Sequence, residues 1–112
     1  MNQKIKDKIS TMEATLIDFR RTLHQHPEIA FEEIETTNRI AEKLEELSIP
    51  YKRMDPTGIL AEINGEQDGK TILLRADIDA LPVTELNDHL DYRSQVKDKM
   101  HACGHDPHTA ML

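Results

Sequence analysis

With 112 residues, the chain is long enough for one domain and too short for two. Its 14 Lys plus Arg against 21 Asp plus Glu leave a net charge of −7, the wrong sign for a nucleic-acid face, and the absence of Trp removes most of a base-stacking platform. No apolar run approaches the roughly 20 residues of a membrane span. The opening MNQKIKDKIS lacks a secretory apolar stretch, and the single cysteine excludes an internal disulfide, so a cytoplasmic setting is expected.

Ile5, Ile9, Met12, Leu16, Phe19 and Leu23 recur in steps of four and three, which predicts one amphipathic helix over Ile5 to Leu23, ended by Pro27. Its apolar stripe is expected to pack on a sheet rather than on a second copy of itself. A second helix is predicted from about Glu32 to Leu47, with Ile34, Ile40, Ala41, Leu44 and Leu47 inward and Pro50 forbidding continuation. The period then changes. Tyr51 to Met54 reads as a short strand, Pro56-Thr57-Gly58 as a turn, and Ile59 to Ile63 as an alternating, half-buried strand. Lys70 to Ala76 is expected to form a third strand, covered on both faces because Ile72, Leu73 and Leu74 are contiguous. Two helices followed by strands predict a layered α/β domain.

Residues 77–100 read as a long loop, of a length that is often functional. The chain then runs through MHACGHDPHTAML, where Asp106 and Pro107 suggest a helix start with Asp106 as N-cap. A helix starting there does not finish its second turn by Leu112, so the chain is expected to be part of a larger domain.

Chemistry concentrates in two places. His101, His105 and His108 lie within eight residues together with Cys103, and Asp77 and Asp79 follow directly on the third predicted strand. Thiolate, imidazole and carboxylate are the side chains that zinc and related ions accept. Cys103 and His105, two apart, project to one side of an extended segment and can share an ion, and Gly104 leaves room for the backbone to approach it. Asp77 and Asp79 repeat that spacing at a strand's carboxyl end, where open α/β sheets place their sites. Other readings stand beside these. Cys103 could be a buried small residue or a nucleophile with His105 as base. His101 could be a hydrogen-bonded structural residue and His89 a solvated one, while His24 and His26 could close the first helix through its dipole.

LHQHPEIAFEE, TILLRADIDALPVTE and KMHACGHDPHTAML, in that order over roughly residues 16 to 112, resemble the N-terminal part of the metal-dependent amidohydrolases related to aminoacylase. That branch includes hippurate hydrolase, N-acyl-amino-acid amidohydrolases, auxin-conjugate hydrolases and N-acetyldiaminopimelate deacetylase. One departure, Asp98 where the family usually has Gly, touches only loop geometry. The resemblance implies that residues 1–112 form the N-terminal part of a zinc-peptidase-like catalytic domain. The rest of that domain, with its remaining ligands and glutamate base, would lie beyond Leu112, as would an inserted domain that typically supports a homodimer.

By the same resemblance Cys103 and His105 are metal ligands, and Asp79 is the acidic residue that orients a ligand from behind it. Asp77, a histidine ligand in more distant relatives, lies at or beside the metal. Two divalent ions (Zn, Mn, Co or Ni) would polarise the amide carbonyl of an N-acyl amino acid and activate a water. Residues 1–112 alone are expected to be inactive. The competing readings are a standalone metal-binding module and a non-functional remnant of a truncated gene.

Overall fold

The computed structural model describes residues 1–112 as three helices and one two-stranded antiparallel sheet, an α/β arrangement in the predicted order of helices before strands. Helix α1 spans Gln3–Gln25, capped at its start by Asn2, whose side chain accepts the Lys4 N–H at 2.9 Å. Its C-terminal end is closed by His26, whose ring Nδ1–H donates to the Thr22 carbonyl at 2.8 Å. Helix α2 spans Ile34–Glu46. The Glu28 carboxylate, immediately after Pro27, accepts the N–H groups of Glu35 and Thr36 and the Thr36 hydroxyl, satisfying orphan donors of the first turn of α2. Strands β1 (Tyr51–Arg53) and β2 (Ile59–Ala61) pair in register Tyr51↔Ala61, and α2 packs against them. Helix α3, His105–Met111, packs on α1. No helix is long and apolar enough to cross a membrane.

The helix boundaries match the predicted ones closely, but the faces differ. Along α1 only Leu23 is fully buried; Leu16 and Phe19 are half-buried, and Ile5, Ile9 and Met12 are exposed. The seat of α1 is α3 rather than a sheet, because α3 meets only the C-terminal half of the stripe. In α2, Ala41 is buried as expected, but Ile34 and Leu47 are exposed, and Thr36 and Thr37 take the inward positions. Threonine can be buried there because its hydroxyl has a partner: Thr37 donates to the Glu33 carbonyl at 2.6 Å.

The third predicted strand does not form. Residues 63–79 make no backbone–backbone hydrogen bond, and Ile72, Leu73 and Leu74 are 81%, 77% and 70% exposed. A strand covered on both faces needs neighbours for its N–H and C=O groups, and no other segment of these residues lies beside it. The outcome is an extended arm that raises the radius of gyration to 15.5 Å, against about 13 Å for a compact chain of this size. The chain rejoins the body at Ala80, whose N–H donates to the Glu28 carbonyl at 2.7 Å. Leu81 then exchanges two bonds with Met100.

The fully buried apolar residues are few, namely Leu23, Ala41, Ala80 and Pro27. The buried polar group is larger: His24, Glu33, Thr36, Thr37, His101 and Asp106. The interior is therefore organised by hydrogen bonds as much as by apolar contact, and three of those six polar residues belong to one cluster beside the candidate site.

Candidate metal centre

The short turn that carries the candidate ligands is set by Gly104. Its φ of +95° and ψ of +19° are left-handed, a conformation an L side chain resists, and it caps α3. Helix α3 thus starts at His105, one residue before the predicted cap. Asp106 sits inside the first turn with its side chain buried rather than bonding the helix's own N–H groups.

His105 and Asp79, 26 residues apart, come together. His105 Nδ1 lies 2.9 Å from Asp79 Oδ1 and 3.0 Å from the Asp79 carbonyl oxygen. Both partners only accept, so Nδ1 carries a proton, and Nε2 is the ring nitrogen not engaged by Asp79. An imidazole held in this way by a carboxylate has the tautomer and aim of a metal ligand. Cys103, two residues earlier, is exposed, which excludes the reading of a buried packing residue.

Asp77 is placed differently. Its carboxylate pairs with Arg75 at 2.5 Å and is 45% exposed, while its carbonyl accepts the Thr109 hydroxyl at 3.1 Å. Asp77 thereby fastens the arm to α3. Neither aspartate closes a buried strand, since that strand is absent; both lie where the extended arm meets the body. His108 and His89 are exposed.

His101 departs from its expected structural role. It is 5% exposed, and neither ring nitrogen has a hydrogen-bond partner. Burial, outweighing the attraction of Asp106, holds its pKa below the usual 6.5, so the ring is neutral at pH 7. Its centroid is 6.5 Å from that of His24.

His24 is the residue that local reading missed. Rather than serving the dipole of α1, its ring is buried between two carboxylates, with Nδ1 2.8 Å from Asp106 Oδ2 and Nε2 3.0 Å from Glu85 Oε1. Arg20 Nε reaches the same Asp106 oxygen at 2.8 Å, and its guanidinium stacks on Tyr92. The hydrogen bond to Asp106 raises the His24 pKa above 6.5; burial opposes this, and Glu85 adds to it. Burial alone would raise the Asp106 and Glu85 carboxyls. The hydrogen bonds from His24 outweigh it, with Arg20 helping at Asp106 and Ser94 and Asn87 at Glu85, so both fall below their ordinary values. Glu85 also accepts the Ser94 N–H at 2.5 Å and Asn87 at 3.1 Å, so one carboxylate organises residues 85–94 of the long loop. The only sequence signal for this cluster was the LHQHPE motif itself.

The donor chemistry fits part of a divalent-metal centre: a thiol, an imidazole aimed by a carboxylate, and a buried imidazole with both nitrogens free. No three His, Cys, Asp or Glu side chains converge as a metal-holding group, so these residues supply a partial set.

Residues 73–112, which contain all four candidate residues, match the model of peptidase family M20/M25/M40. The chain is 50% identical over 102 residues to an N-acetylcysteine deacetylase of Bacillus subtilis, covering 87% of this chain and 26% of that protein. It is 43% identical over 112 residues to thermostable carboxypeptidase 2 of Saccharolobus solfataricus, covering 98% of this chain and 28% of that one. Among solved structures it resembles the YXEP protein of Bacillus subtilis, described as a dinuclear metal-binding peptidase from the M20 family. The TM-score is 0.85 and the identity 48%, over 90% of this chain and 28% of the other. The chain thus spans about a quarter of the length of the relatives it matches. The resemblance read from the three motifs holds.

Proposed function

From the membership of residues 73–112 in peptidase family M20/M25/M40, we propose that this chain is part of a metal-dependent hydrolase that cleaves the amide bond of N-acyl amino acids. The observation that carries the reading is the Asp79–His105 contact, which presents Nε2 of His105 as a lone-pair donor beside the exposed Cys103. The similarity to an N-acetylcysteine deacetylase supports a small acylated amino acid as substrate, and that to a dinuclear peptidase supports two divalent ions. Zinc, manganese, cobalt and nickel all accept a thiolate and imidazole set.

Cys103 and His105 would hold one ion, Asp79 would fix the ring of His105, and Asp77 would stand at or beside the centre. The ions supply Lewis acidity toward the scissile carbonyl and lower the pKa of water. Asp79 holds a proton of His105 on Nδ1, and the left-handed Gly104 makes the turn between Cys103 and His105. No residue of the chain is assigned as general base. Residues 1–112 alone are therefore expected to bind metal weakly and to turn over nothing.

The test is hydrolysis of N-acetyl-L-cysteine, other N-acetyl amino acids and hippurate, with Zn, Mn, Co or Ni, by residues 1–112 and by the longest product of the gene. Turnover by the longer product, lost in Cys103→Ala, supports the reading. Turnover by residues 1–112 alone would overturn the assignment of the chain as part of a site. Metal content unchanged in Cys103→Ala would remove that residue as a ligand.

A further inference from the structure

We infer that His24 is a positioning residue for the Cys103–His105 pair, clamping the start of α3 to α1 and to the long loop through Asp106 and Glu85. The inference rests on the metal-centre reading for its consequence, but the clamp stands on geometry of its own.

Three elements meet at one ring. His24 lies in the last turn of α1, Asp106 in the first turn of α3, and Glu85 in the loop between the arm and α3. The side chains of His24, Glu85 and Asp106 are 4%, 3% and 0% exposed. Two carboxylates buried to that degree repel and desolvate one another unless a cation stands between them. His24 has one nitrogen on each, at 2.8 and 3.0 Å, the contact an imidazolium makes by donating from both nitrogens. Arg20 adds a second cation at the same Asp106 oxygen, Oδ2, while Oδ1 is buried without a partner. Arg20 Nη2 is also 3.4 Å from His24 Nδ1, so part of its charge works against the ring. Tyr92 closes the cluster with its ring edge-on to His24, centroids 5.9 Å apart.

The consequence follows from sequence adjacency. Asp106 is the next residue after His105, so holding its side chain fixes the rotation of the first turn of α3. That rotation sets where His105 meets Asp79 and where Cys103 points. Gly104, left-handed at φ +95°, leaves this turn with little stiffness of its own, since glycine populates many backbone conformations. A tether from outside the turn is needed, and the His24–Asp106 bond supplies it.

The experiment compares wild type, His24→Gln and Asp106→Asn, the last two nearly isosteric and lacking the charge on one side of the clamp. Backbone 13Cα shifts of residues 104–112 read the start of α3 without metal; cobalt(II) titration, followed by thiolate-to-cobalt absorption, reads the site. The clamp predicts that α3 shifts move toward coil values in both variants while those of α2 stay helical. It also predicts that cobalt affinity falls about tenfold or more, the range for groups that orient a ligand from behind it. The double variant His24→Gln/Glu85→Gln, which removes the uncompensated charge at Glu85, should regain part of both. Unchanged α3 shifts in either variant, or an unchanged cobalt isotherm despite moved shifts, would overturn the inference. If His24→Gln does not fold, Asp106→Asn decides by the same two readouts. Should wild type give no thiolate–cobalt band in any form of the protein, the metal-centre reading fails, while the α3 shifts still decide the clamp.

Discussion

His105 donates a hydrogen bond from Nδ1–H to Asp79, whose carboxylate and backbone carbonyl oxygens accept it at 2.9 and 3.0 Å. This contact joins the end of the exposed arm to the first residue of α3 and leaves the other imidazole nitrogen unengaged by Asp79. If that nitrogen ligates metal, Asp79→Ala should weaken binding by about 10–100-fold, the usual cost of losing such a support. Asp79→Asn keeps an acceptor oxygen without the charge and should lose less. Calorimetric titration with zinc or manganese measures both, and an unchanged affinity in Asp79→Ala would remove the orienting role.

The His24 cluster makes stability depend on pH in a known direction. The folded-state pKa of His24 is raised above 6.5, chiefly by Asp106. Its contribution is therefore complete below pH 6.5 and is lost as pH rises through the raised value. Glu85 and Asp106 work in the opposite sense: their pKa values are lowered from 4.5 and 3.8, so their contribution is present above those values and lost in acid. The groups facing His24 are these two, Arg20, Tyr92 and His101. Thermal midpoints of the wild type should fall above pH 6.5 more steeply than those of His24→Gln. Parallel curves would mean that the ring is not charged in the folded chain.

Gly104→Ala isolates the cost of backbone conformation. At φ +95° an added Cβ meets nothing within 4 Å, so steric overlap with neighbours contributes no penalty. The left-handed backbone alone should cost about 1–2 kcal/mol. Gly104→Asn should cost less, because asparagine tolerates that region better. Urea midpoints of the two variants provide the comparison, and equal losses would place the cost elsewhere.

What was legible in the sequence was local. The steps of three and four that placed α1 and α2, the Pro56-Thr57-Gly58 turn and the two short strands are set by neighbours within a few residues. Residue type and spacing were enough to single out Cys103, His105, Asp77 and Asp79 as candidates, and of these the fold brings His105 and Asp79 into contact. Burial was not legible in the same way. Ile72-Leu73-Leu74 was read as a covered strand and is instead exposed, because coverage depends on neighbours that these residues do not provide. His24 was read through the dipole of its own helix, whereas its partners lie 61 and 82 positions away. Asp98 shows the intermediate case. Its φ of +56° lies in the left-handed region that favours glycine, the residue the resemblance led one to expect, and its carboxylate accepts the Thr84 hydroxyl at 2.8 Å, a contact glycine cannot make.

Leu23 is the largest fully buried apolar side chain, 2% exposed in a core with few other apolar members. Leu23→Ala should cost about 2–5 kcal/mol, the range for buried leucine truncation. Stabilities of whole domains run only about 5–15 kcal/mol, so a small core of this kind should lose much of its cooperativity. Far-UV circular dichroism against urea is the measurement. A shift in midpoint equivalent to under about 1 kcal/mol would show that the polar cluster, rather than Leu23, holds α1 to α3.

The exposed arm should govern how residues 1–112 behave at high concentration. Ile63, Ile72, Leu73 and Leu74 are each at least 70% exposed, and the backbone of residues 63–76 has no hydrogen-bonding partner within the chain. An extended, apolar segment with free N–H and C=O groups is a template for pairing with another strand. Lys70 and Arg75 flank it, and repulsion between like charges opposes parallel in-register stacking of two arms, so antiparallel pairing is favoured. Sedimentation velocity should therefore show association that rises with concentration from the micromolar range. Leu73→Lys places a charge at the centre of the apolar run and should suppress it, while Leu60→Lys, on the already paired β2, should have much less effect. If both substitutions act equally, the surface responsible is general apolar exposure. If neither acts, the arm is not the contact.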